Sequence, residues 1–264
     1  MDVIFTDLDG TLLDRDSYSW KAAGPAIEIL QRKGIPWILV TSKTRAEVEV
    51  WRQRLGNHHP FIVENGGAAF VPSGYFSHDI AGAERRSEYQ ILKWGAAYEE
   101  LVADLRRASQ TSRCRIRGFH DMSAADVCEI SGLPIELAAL AKQREYDEPF
   151  VVLEPERADA LALAIGQQGR RWTRGGRFWH IVGANDKALA VEALTALFER
   201  GSAEVRTIGL GDGLNDTQFL DRVSVPILIR SPHVAELKAR VPRGSVTERP
   251  GPAGWNDAVL ALIG

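Results

Sequence analysis

Features of disulfide-bonded and membrane proteins are scarce in this chain. It has only two cysteines, Cys114 and Cys128, among 264 residues, which excludes a disulfide scaffold and fits a reducing compartment. The first residues contain no basic segment followed by a long apolar run, and no apolar stretch approaches the ~18 residues that a membrane-spanning helix needs. We therefore expect a cytoplasmic protein that does not enter a membrane.

The chain also lacks an excess of charge. Lysine and arginine number 32, aspartate and glutamate 35, and the net charge at pH 7 is −3, so no global field attracts nucleic acid or an anionic membrane. Hydrophobic residues make up 45% and charged residues 25%, which excludes a disordered or fibrous chain. At roughly 100–200 residues per domain, the length indicates one large domain or two small ones.

What is present at the start of the chain is an alternation of strand and helix patterns. Apolar runs predict buried strands over 3–5, 35–40 and 61–63, and apolar residues at helical spacing predict helices over 21–33 and around 48–55. This alternation favours a parallel sheet with crossover helices on its faces. In such sheets, ligands bind beyond the carboxyl ends of the strands.

The pattern changes at about residue 72 and returns at about residue 186. The middle block predicts helices over 95–108, 123–130, 134–142 and 156–168, and strands over 113–117, 150–153 and 177–182. The last part predicts helices over 186–200, 216–221 and 253–263, and strands over 205–208 and 225–229. We expect an α/β fold. Residues 1–80 and 185–264 would form a Rossmann-like parallel-sheet core with helices on both faces, and residues 81–184 an inserted α+β domain.

Polar residues gather at the ends of predicted strands. Asp7 and Asp9 follow the first strand, Thr41 the second, and Asp212 and Asp216 a later one. Carboxylates this close repel each other unless a cation or a shared proton intervenes, and a hard divalent ion such as Mg²⁺ prefers oxygen ligands. One carboxylate can then act as a nucleophile and another as a general acid–base. Taken alone, each acidic cluster is equally compatible with a solvated turn.

Lys187 and Thr41 suit the binding of a phosphate group. Such a group needs hydrogen-bond donors and positive charge, which a lysine and a hydroxyl supply. Considered separately, Lys187 is more simply explained as a solvated lysine and Thr41 as a helix-capping threonine. The combination in chain order is therefore more informative than any one of its parts.

The order of these motifs resembles the haloacid dehalogenase-like phosphatase superfamily. Asp7–Leu13 (DLDGTLL) looks like its first motif, Thr41 its second and Lys187 its third. Asp212 with Asp216 looks like the fourth. The inserted domain looks like the large α/β cap of its Cof-type branch.

This resemblance implies a role for each motif. Asp7 would attack phosphorus and form an aspartyl-phosphate, and Asp9 would protonate the leaving oxygen and then activate water. Thr41 and Lys187 would hold the phosphoryl oxygens. Mg²⁺ would be bound by Asp7, the backbone carbonyl of Asp9 and Asp212, with Asp216 in or next to the shell.

Further stretches extend the resemblance to the mannosyl-3-phosphoglycerate phosphatases within that superfamily. They are Val40–Arg45 (VTSKTR), Val63–Gly67 (VENGG), Arg144–Glu148 (REYDE), Gly175–His180 (GGRFWH) and Gly251–Trp255 (GPAGW). The resemblance implies substrate contacts from Ser42, Lys43, Glu64, Asn65, Gly66, Gly67, Arg144, Arg174, Arg177 and Asn215. Tyr146, Trp179 and His180 are further candidates to contact the sugar, although packing explains an aromatic residue in a strand equally well.

The implied function is that of a Mg²⁺-dependent phosphatase that converts mannosyl-3-phosphoglycerate to mannosylglycerate, a compatible solute, and phosphate. The expected partner is this small phosphorylated sugar acid, with the chain a monomer or homodimer. Glucosyl-3-phosphoglycerate or another sugar phosphate is an alternative substrate. A phosphotransferase and a non-catalytic regulatory protein also stay open, although the intact acidic residues and Lys187 argue against the latter.

Overall fold

The computed structural model describes residues 1–175, 177–202 and 204–264. Gly176, which belongs to one of the stretches that carry the family resemblance, and Ala203 lie outside the described residues. The described part of the chain contains a nine-stranded sheet and a four-stranded sheet. Within it, no helix is both long and apolar enough to cross a bilayer.

The regular elements follow one another along the whole chain. The strands are β1 (Asp2–Thr6), β2 (Trp37–Val40), β3 (Phe61–Val63), β4 (Ala68–Pro72), β5 (Glu84–Arg86), β6 (Tyr89–Lys93), β7 (Ile116–Gly118), β8 (Asp147–Val152), β9 (Arg171–Arg174), β10 (Trp179–Val182), β11 (Arg206–Gly211), β12 (Val225–Arg230) and β13 (Ser245–Pro250). The helices are α1 (Gly24–Lys33), α2 (Arg45–Leu55), α3 (Tyr98–Ser112), α4 (Ala124–Ser131), α5 (Ile135–Ala141), α6 (Ala158–Gln167), α7 (Lys187–Glu199), α8 (Thr217–Leu220), α9 (Val234–Arg240) and α10 (Gly251–Ile263).

The core is the nine-stranded sheet, in the order β13-β12-β11-β1-β2-β3-β4-β6-β5. Its first six strands are parallel. Alternate residues of β1 point to opposite faces: Ile4 packs with α1, α2 and α10, whereas Val3 and Phe5 pack with α7, α8 and α9. The predicted parallel α/β core with helices on both faces is therefore confirmed.

Local signals set the bounds of the helix that precedes the third strand. Thr44 is the N-cap of α2, where its side chain accepts a hydrogen bond from the backbone N–H of Glu47, and the Glu47 carboxylate accepts one from the backbone N–H of Thr44. Such a reciprocal capping box satisfies two of the free N–H groups at a helix start. Gly56 ends the helix in the left-handed region, at φ 62°, as glycine does most readily.

Three antiparallel strands extend the core sheet at one edge. β4 runs antiparallel to β3, and β6 and β5 follow in the same manner. The expected domain boundary at residue 81 would assign β5 and β6 to the inserted domain, although both pair with the core sheet. We therefore propose that the insertion begins after Lys93 and ends near the expected boundary at residue 185.

The inserted domain has its own antiparallel sheet, in the order β7-β8-β10-β9. Helices α3 and α6 pack on it through a separate apolar cluster that includes Leu105, Phe150 and Ile165. Helices α4 and α5 join the main apolar cluster instead, through residues such as Val127 and Leu137. The insertion is thus attached to the core by packing as well as by its two connections.

Several elements differ from the sequence-based predictions. The pattern predicts neither β4–β6, nor β9, nor α9 and β13. The strand predicted over 113–117 begins only at Ile116, because Arg113 adopts a left-handed conformation (φ 51°) that ends α3. The strand predicted over 177–182 likewise begins only at Trp179.

Candidate active site

The carboxyl edge of the parallel sheet brings the predicted motifs together. β1 lies between β2 and β11, so Asp7 after β1, Thr41 after β2 and Asp212 after β11 emerge side by side. Thr41 accepts a hydrogen bond on its hydroxyl from the backbone N–H of Lys43 at 3.2 Å. Asp7 and Asp212 line one cavity beyond the strand ends, whereas Thr41 is buried beside it and is not among the lining residues.

Lys187 bridges two of the acidic residues. Its Nζ donates to Asp7 Oδ1 at 2.8 Å and to Asp216 Oδ1 at 2.6 Å, and the side chain is 1% exposed. Burial works against the charged ammonium, but Asp216 and Asp7 outweigh it and raise the pKa of Lys187 above its ordinary value. A permanent positive charge therefore lies beside the predicted nucleophile.

Asp7, Asp212 and Asp216 form an acidic cluster suited to a metal ion. One oxygen of each lies within 4.8 Å of the others, and all three residues are buried. Burial, with repulsion from Asp216, raises the pKa of Asp7 well above its usual range and that of Asp212 to about 7. Three buried carboxylates with one lysine fit a hard divalent cation, which oxygen ligands bind and which relieves such repulsion.

Glycine makes room for this cluster. Gly10 has φ 81°, and a Cβ there would lie 2.5 Å from Asp212 Oδ2. Asp212 Oδ1 accepts a hydrogen bond from Thr11 Oγ1 at 2.9 Å. Asp216 Oδ2 in turn accepts the backbone N–H groups of Asp212 and Gly213, so it shapes the loop that presents Asp212.

Asp9 is paired with Lys43. Lys43 Nζ lies 2.8 Å from Asp9 Oδ2 and 3.4 Å from Glu47 Oε1. Asp9 Oδ1 is buried and has no hydrogen-bond partner among the described residues. Lys43, predicted from the sequence to bind substrate, thus contacts the predicted acid–base residue directly.

A cavity of about 270 Å³ lies between the core and the inserted domain. Asp7, Asp9, Asp212 and Asn215 line it from the core, as do Ser42 and Lys43. Arg144, Arg174, Arg177 and His180 line it from the inserted domain. The predicted arginines therefore line the cavity from the inserted domain, and Asp7 and Asp212 of the acidic cluster line it from the core.

Two of these arginines also hold the structure together. Arg144 donates to the carbonyl oxygen of Ser42 at 2.7 Å and to that of Ala141 at 2.8 Å. Arg177 donates to the carbonyl oxygen of Ser131. Of the other sugar-contact candidates, Trp179 packs against Trp172 and Phe150 with tilted rings, which matches the packing interpretation.

Glu64–Gly67 lie at the junction between core and insertion, outside the set of cavity-lining residues. The Glu64 carboxylate accepts the backbone N–H groups of Glu145 and Tyr146, and burial raises the pKa of Glu64 to about 8. A Cβ on Gly67 would lie 2.4 Å from Tyr146 Cβ. These contacts support a role in docking the two domains rather than in touching substrate.

Sequence reasoning missed several cavity-lining side chains. They include Arg15, Tyr18, Glu47, Phe119, His233 and Glu236. His233 and Glu236 follow the carboxyl end of β12, which was a predicted strand, so the same strand-end rule that selected Asp7 and Thr41 applies to them. Arg15 and Tyr18 follow the first motif but match no motif themselves.

Comparison with known proteins gives the family. Residues 4–91 match the haloacid dehalogenase-like hydrolases. The chain is 44% identical to the glucosyl-3-phosphoglycerate/mannosyl-3-phosphoglycerate phosphatase of Methanococcoides burtonii, over 99% of this chain and 97% of that protein. It is 35% identical to the mannosyl-3-phosphoglycerate phosphatase of Pyrococcus furiosus, over 86% of this chain and 90% of that protein.

The chain belongs to the haloacid dehalogenase-like hydrolases. Its fold also matches the solved structure of a subclass IIB sugar phosphatase of the haloacid dehalogenase superfamily, with a TM-score of 0.69 at 16% identity over 99% of both chains. The predicted family is therefore confirmed. Hydrolases of this family generally use a divalent metal ion, and the acidic cluster of this hydrolase fits one.

Proposed function

We propose that this hydrolase removes the phosphate group from mannosyl-3-phosphoglycerate and accepts glucosyl-3-phosphoglycerate as well. The observation that carries the substrate assignment is the 44% identity, over 99% of the chain, to a phosphatase named for both compounds. The site supports it, because a substrate with a phosphate, a carboxylate and several hydroxyls suits a cavity with acidic residues at one end and arginines at the other.

Asp7 is the nucleophile in this proposal. Lys187 holds its Oδ1, and we assign the attack on phosphorus to the other oxygen. The new Asp7–phosphorus bond replaces the bond to the glycerate oxygen and leaves an aspartyl-phosphate. Lys187 and Thr41 offset the negative charge on the phosphoryl oxygens, as phosphoryl transfer requires.

Asp9 moves the proton in both halves of the reaction. Lys43 pairs with its Oδ2 at 2.8 Å, and the carboxyl group donates a proton to the departing glycerate oxygen. In the second half, the carboxylate accepts a proton from the water that attacks the aspartyl-phosphate. Inorganic phosphate leaves and Asp7 is regenerated.

Mg²⁺ is the proposed cofactor. Asp7, Asp212 and the backbone carbonyl of Asp9 would hold it, with Asp216 in or next to its shell. When bound, it supplies positive charge that neutralises the crowded carboxylates and the phosphoryl oxygens.

The arginine wall selects the substrate in this proposal. Arg174 and Arg177 are exposed residues that line the cavity, and their forked N–H groups suit a carboxylate. Ser42, Lys43 and Asn215 complete the substrate contacts from the core. For Glu64, Asn65, Gly66 and Gly67 we propose an indirect contribution, through the position of the inserted domain.

The test is release of inorganic phosphate, in Mg²⁺ buffer, from mannosyl-3-phosphoglycerate, glucosyl-3-phosphoglycerate, 3-phosphoglycerate and several hexose phosphates. We expect the two glycosyl compounds to be preferred, and Asp7→Asn to lower the rate by about 10³-fold or more. Equal rates across the panel would discard the substrate assignment. Transfer of phosphate to a sugar acceptor would instead identify a phosphotransferase.

A further inference from the structure

Asp147 is a fully buried carboxylate at the start of β8, at the place where the inserted domain meets the core. It is 0% exposed. Its Oδ1 lies 2.8 Å from His180 Nδ1 and 3.7 Å from Arg144 Nη1, and its Oδ2 accepts a hydrogen bond from Asn65 Nδ2 at 2.6 Å. Burial of a carboxylate carries a desolvation penalty, which these three polar partners on separate segments offset.

These contacts fix the ring of His180. Asp147 lies 3.7 Å from the Arg144 guanidinium and accepts a hydrogen bond from Asn65 Nδ2, and both contacts favour its ionised form. An ionised carboxylate only accepts hydrogen bonds, so Nδ1 of His180 carries the proton and donates it. In the neutral ring Nε2 is then an acceptor, as in other carboxylate–histidine pairs.

His180 faces the catalytic cavity. It lines the wall formed by the inserted domain, together with Arg174 and Arg177. A Cβ on Gly175 would lie 3.3 Å from His180 Nε2, so the glycine leaves space next to that nitrogen. An acceptor nitrogen among cationic groups suits a hydroxyl donor rather than a second anion.

The core holds Asp147 from the other side. Asn65 adopts a left-handed conformation (φ 55°), which turns its amide toward Asp147. Its Oδ1 accepts a hydrogen bond from Asn215 Nδ2 at 3.1 Å. Asn215 belongs to the same loop as Asp212 and Asp216, so a chain of buried hydrogen bonds runs from this loop through Asn65 and Asp147 to His180.

We propose that Asp147 is a positioning residue for substrate recognition, which orients His180 so that Nε2 accepts a hydrogen bond from a sugar hydroxyl of the substrate. Asn65 keeps Asp147 in place when the inserted domain lies on the core. His180 is then the substrate-contacting residue, and Asp147 acts only through it. The inference rests on the proposed function for the identity of the sugar.

The experiment compares Asp147→Asn with a matched control. Glu148→Gln changes the next buried carboxylate of β8, which faces the opposite side of the strand and takes hydrogen bonds from Tyr98 and His120 within the inserted domain. We expect Asp147→Asn to lower kcat/KM for mannosyl-3-phosphoglycerate about 10-fold or more, chiefly through KM. For p-nitrophenyl phosphate, which has no sugar, we expect no change, and Glu148→Gln should leave both substrates unaffected.

Two further measurements separate positioning from general damage to the fold. Because Asp147 acts through His180, His180→Gln should cause the same loss, and the double variant should lose little more than either single one. In the wild type, ¹⁵N NMR of the imidazole should show the Nδ1-protonated form of His180, a readout that needs no substrate. Equal losses on both substrates, additive losses or the Nε2-protonated form would overturn the inference. Failure of the wild type on the glycosyl substrates would overturn the proposed function instead.

Discussion

At the scale of single residues, Lys187 is the side chain around which the acidic cluster is arranged. Its ammonium lies within hydrogen-bond distance of Asp7 and Asp216. Removing one partner of a buried ion pair leaves the other charges uncompensated in a medium of low polarity. Loss of the Lys187 ammonium should therefore lower stability as well as activity.

We predict that Lys187→Met lowers the free energy of unfolding by about 3–5 kcal/mol and abolishes phosphate release. Urea denaturation without metal measures the first effect. The matched control is Lys93→Met, which removes an exposed pair with Glu84 and should cost far less, because exposed ion pairs contribute little to stability. Equal losses in the two variants would contradict the argument from burial.

A second residue-scale prediction concerns Gly66. Gly66 and Gly74 both have left-handed backbone conformations, at φ 84° and φ 77°. A Cβ on Gly66 would lie 2.1 Å from the carbonyl oxygen of Asp186, whereas a Cβ on Gly74 would meet nothing within 4 Å. We expect Gly74→Ala to cost about 1–2 kcal/mol from the backbone alone, and Gly66→Ala distinctly more. Thermal denaturation of both variants checks the order, and equal costs would rule out the steric clash.

Whether the role of a single residue could be predicted from the sequence depended on how far along the chain its contact partners lie. Asp7, Thr41 and Asp212 were found because each follows a strand whose neighbours in the sheet the α/β pattern already implies. For Glu64, the family resemblance implies a substrate contact. Its actual partners, the backbone N–H groups of Glu145 and Tyr146, lie some 80 positions away in the chain, and no local pattern encodes that contact.

At the scale of elements, the same limit explains which strands and helices were missed. β13 has one buried residue among six and β5 has none, so neither shows the apolar run of a buried strand. Their backbone hydrogen bonds to β12 and β6 define them instead. The missed helix α9 mattered most for the site, since its N-cap His233 and its first-turn residue Glu236 both line the cavity.

The element-scale prediction compares two capping boxes. Ser123 caps α4 through hydrogen bonds with Asp126, and Ser123→Ala should cost about 1 kcal/mol. Thr44 caps α2 in the same way but also donates to the carbonyl oxygen of Leu140 in the inserted domain, at 3.0 Å. Thr44→Ala should therefore cost about 1 kcal/mol more, as measured by urea denaturation, and Thr44→Ser should recover most of it. Equal costs at the two caps would mean that the contact with Leu140 contributes nothing.

At the scale of the whole molecule, the junction between core and inserted domain is built from buried polar groups. Glu64 receives two backbone N–H groups of the insertion, and Arg144 donates to the Ser42 carbonyl of the core. A contact made by a titratable side chain such as Glu64 depends on whether that side chain is protonated, whereas apolar packing does not depend on protonation. The stability of the assembled molecule should accordingly depend on pH through Glu64.

Burial raises the pKa of Glu64 from 4.5 to about 8 in the folded protein. Between these values the folded state keeps a proton that the unfolded state has released, so stability is complete below pH 4.5 and falls as pH rises toward 8. Glu64→Gln mimics the protonated carboxyl. We expect the variant to match the wild type near pH 5 and to exceed it in unfolding free energy at pH 8.

Urea denaturation at pH 5, 6.5 and 8 measures this difference, with Glu88→Gln, at an exposed position, as the control that should follow the wild-type profile. Other buried acids contribute to the absolute slope in all three proteins, so the quantity that decides is the difference between Glu64→Gln and the wild type. A difference that stays constant from pH 5 to pH 8 would show that Glu64 does not change its protonation on folding. If the difference in unfolding free energy grows with pH, ionisation of Glu64 destabilises the folded protein at the junction between the core and the inserted domain.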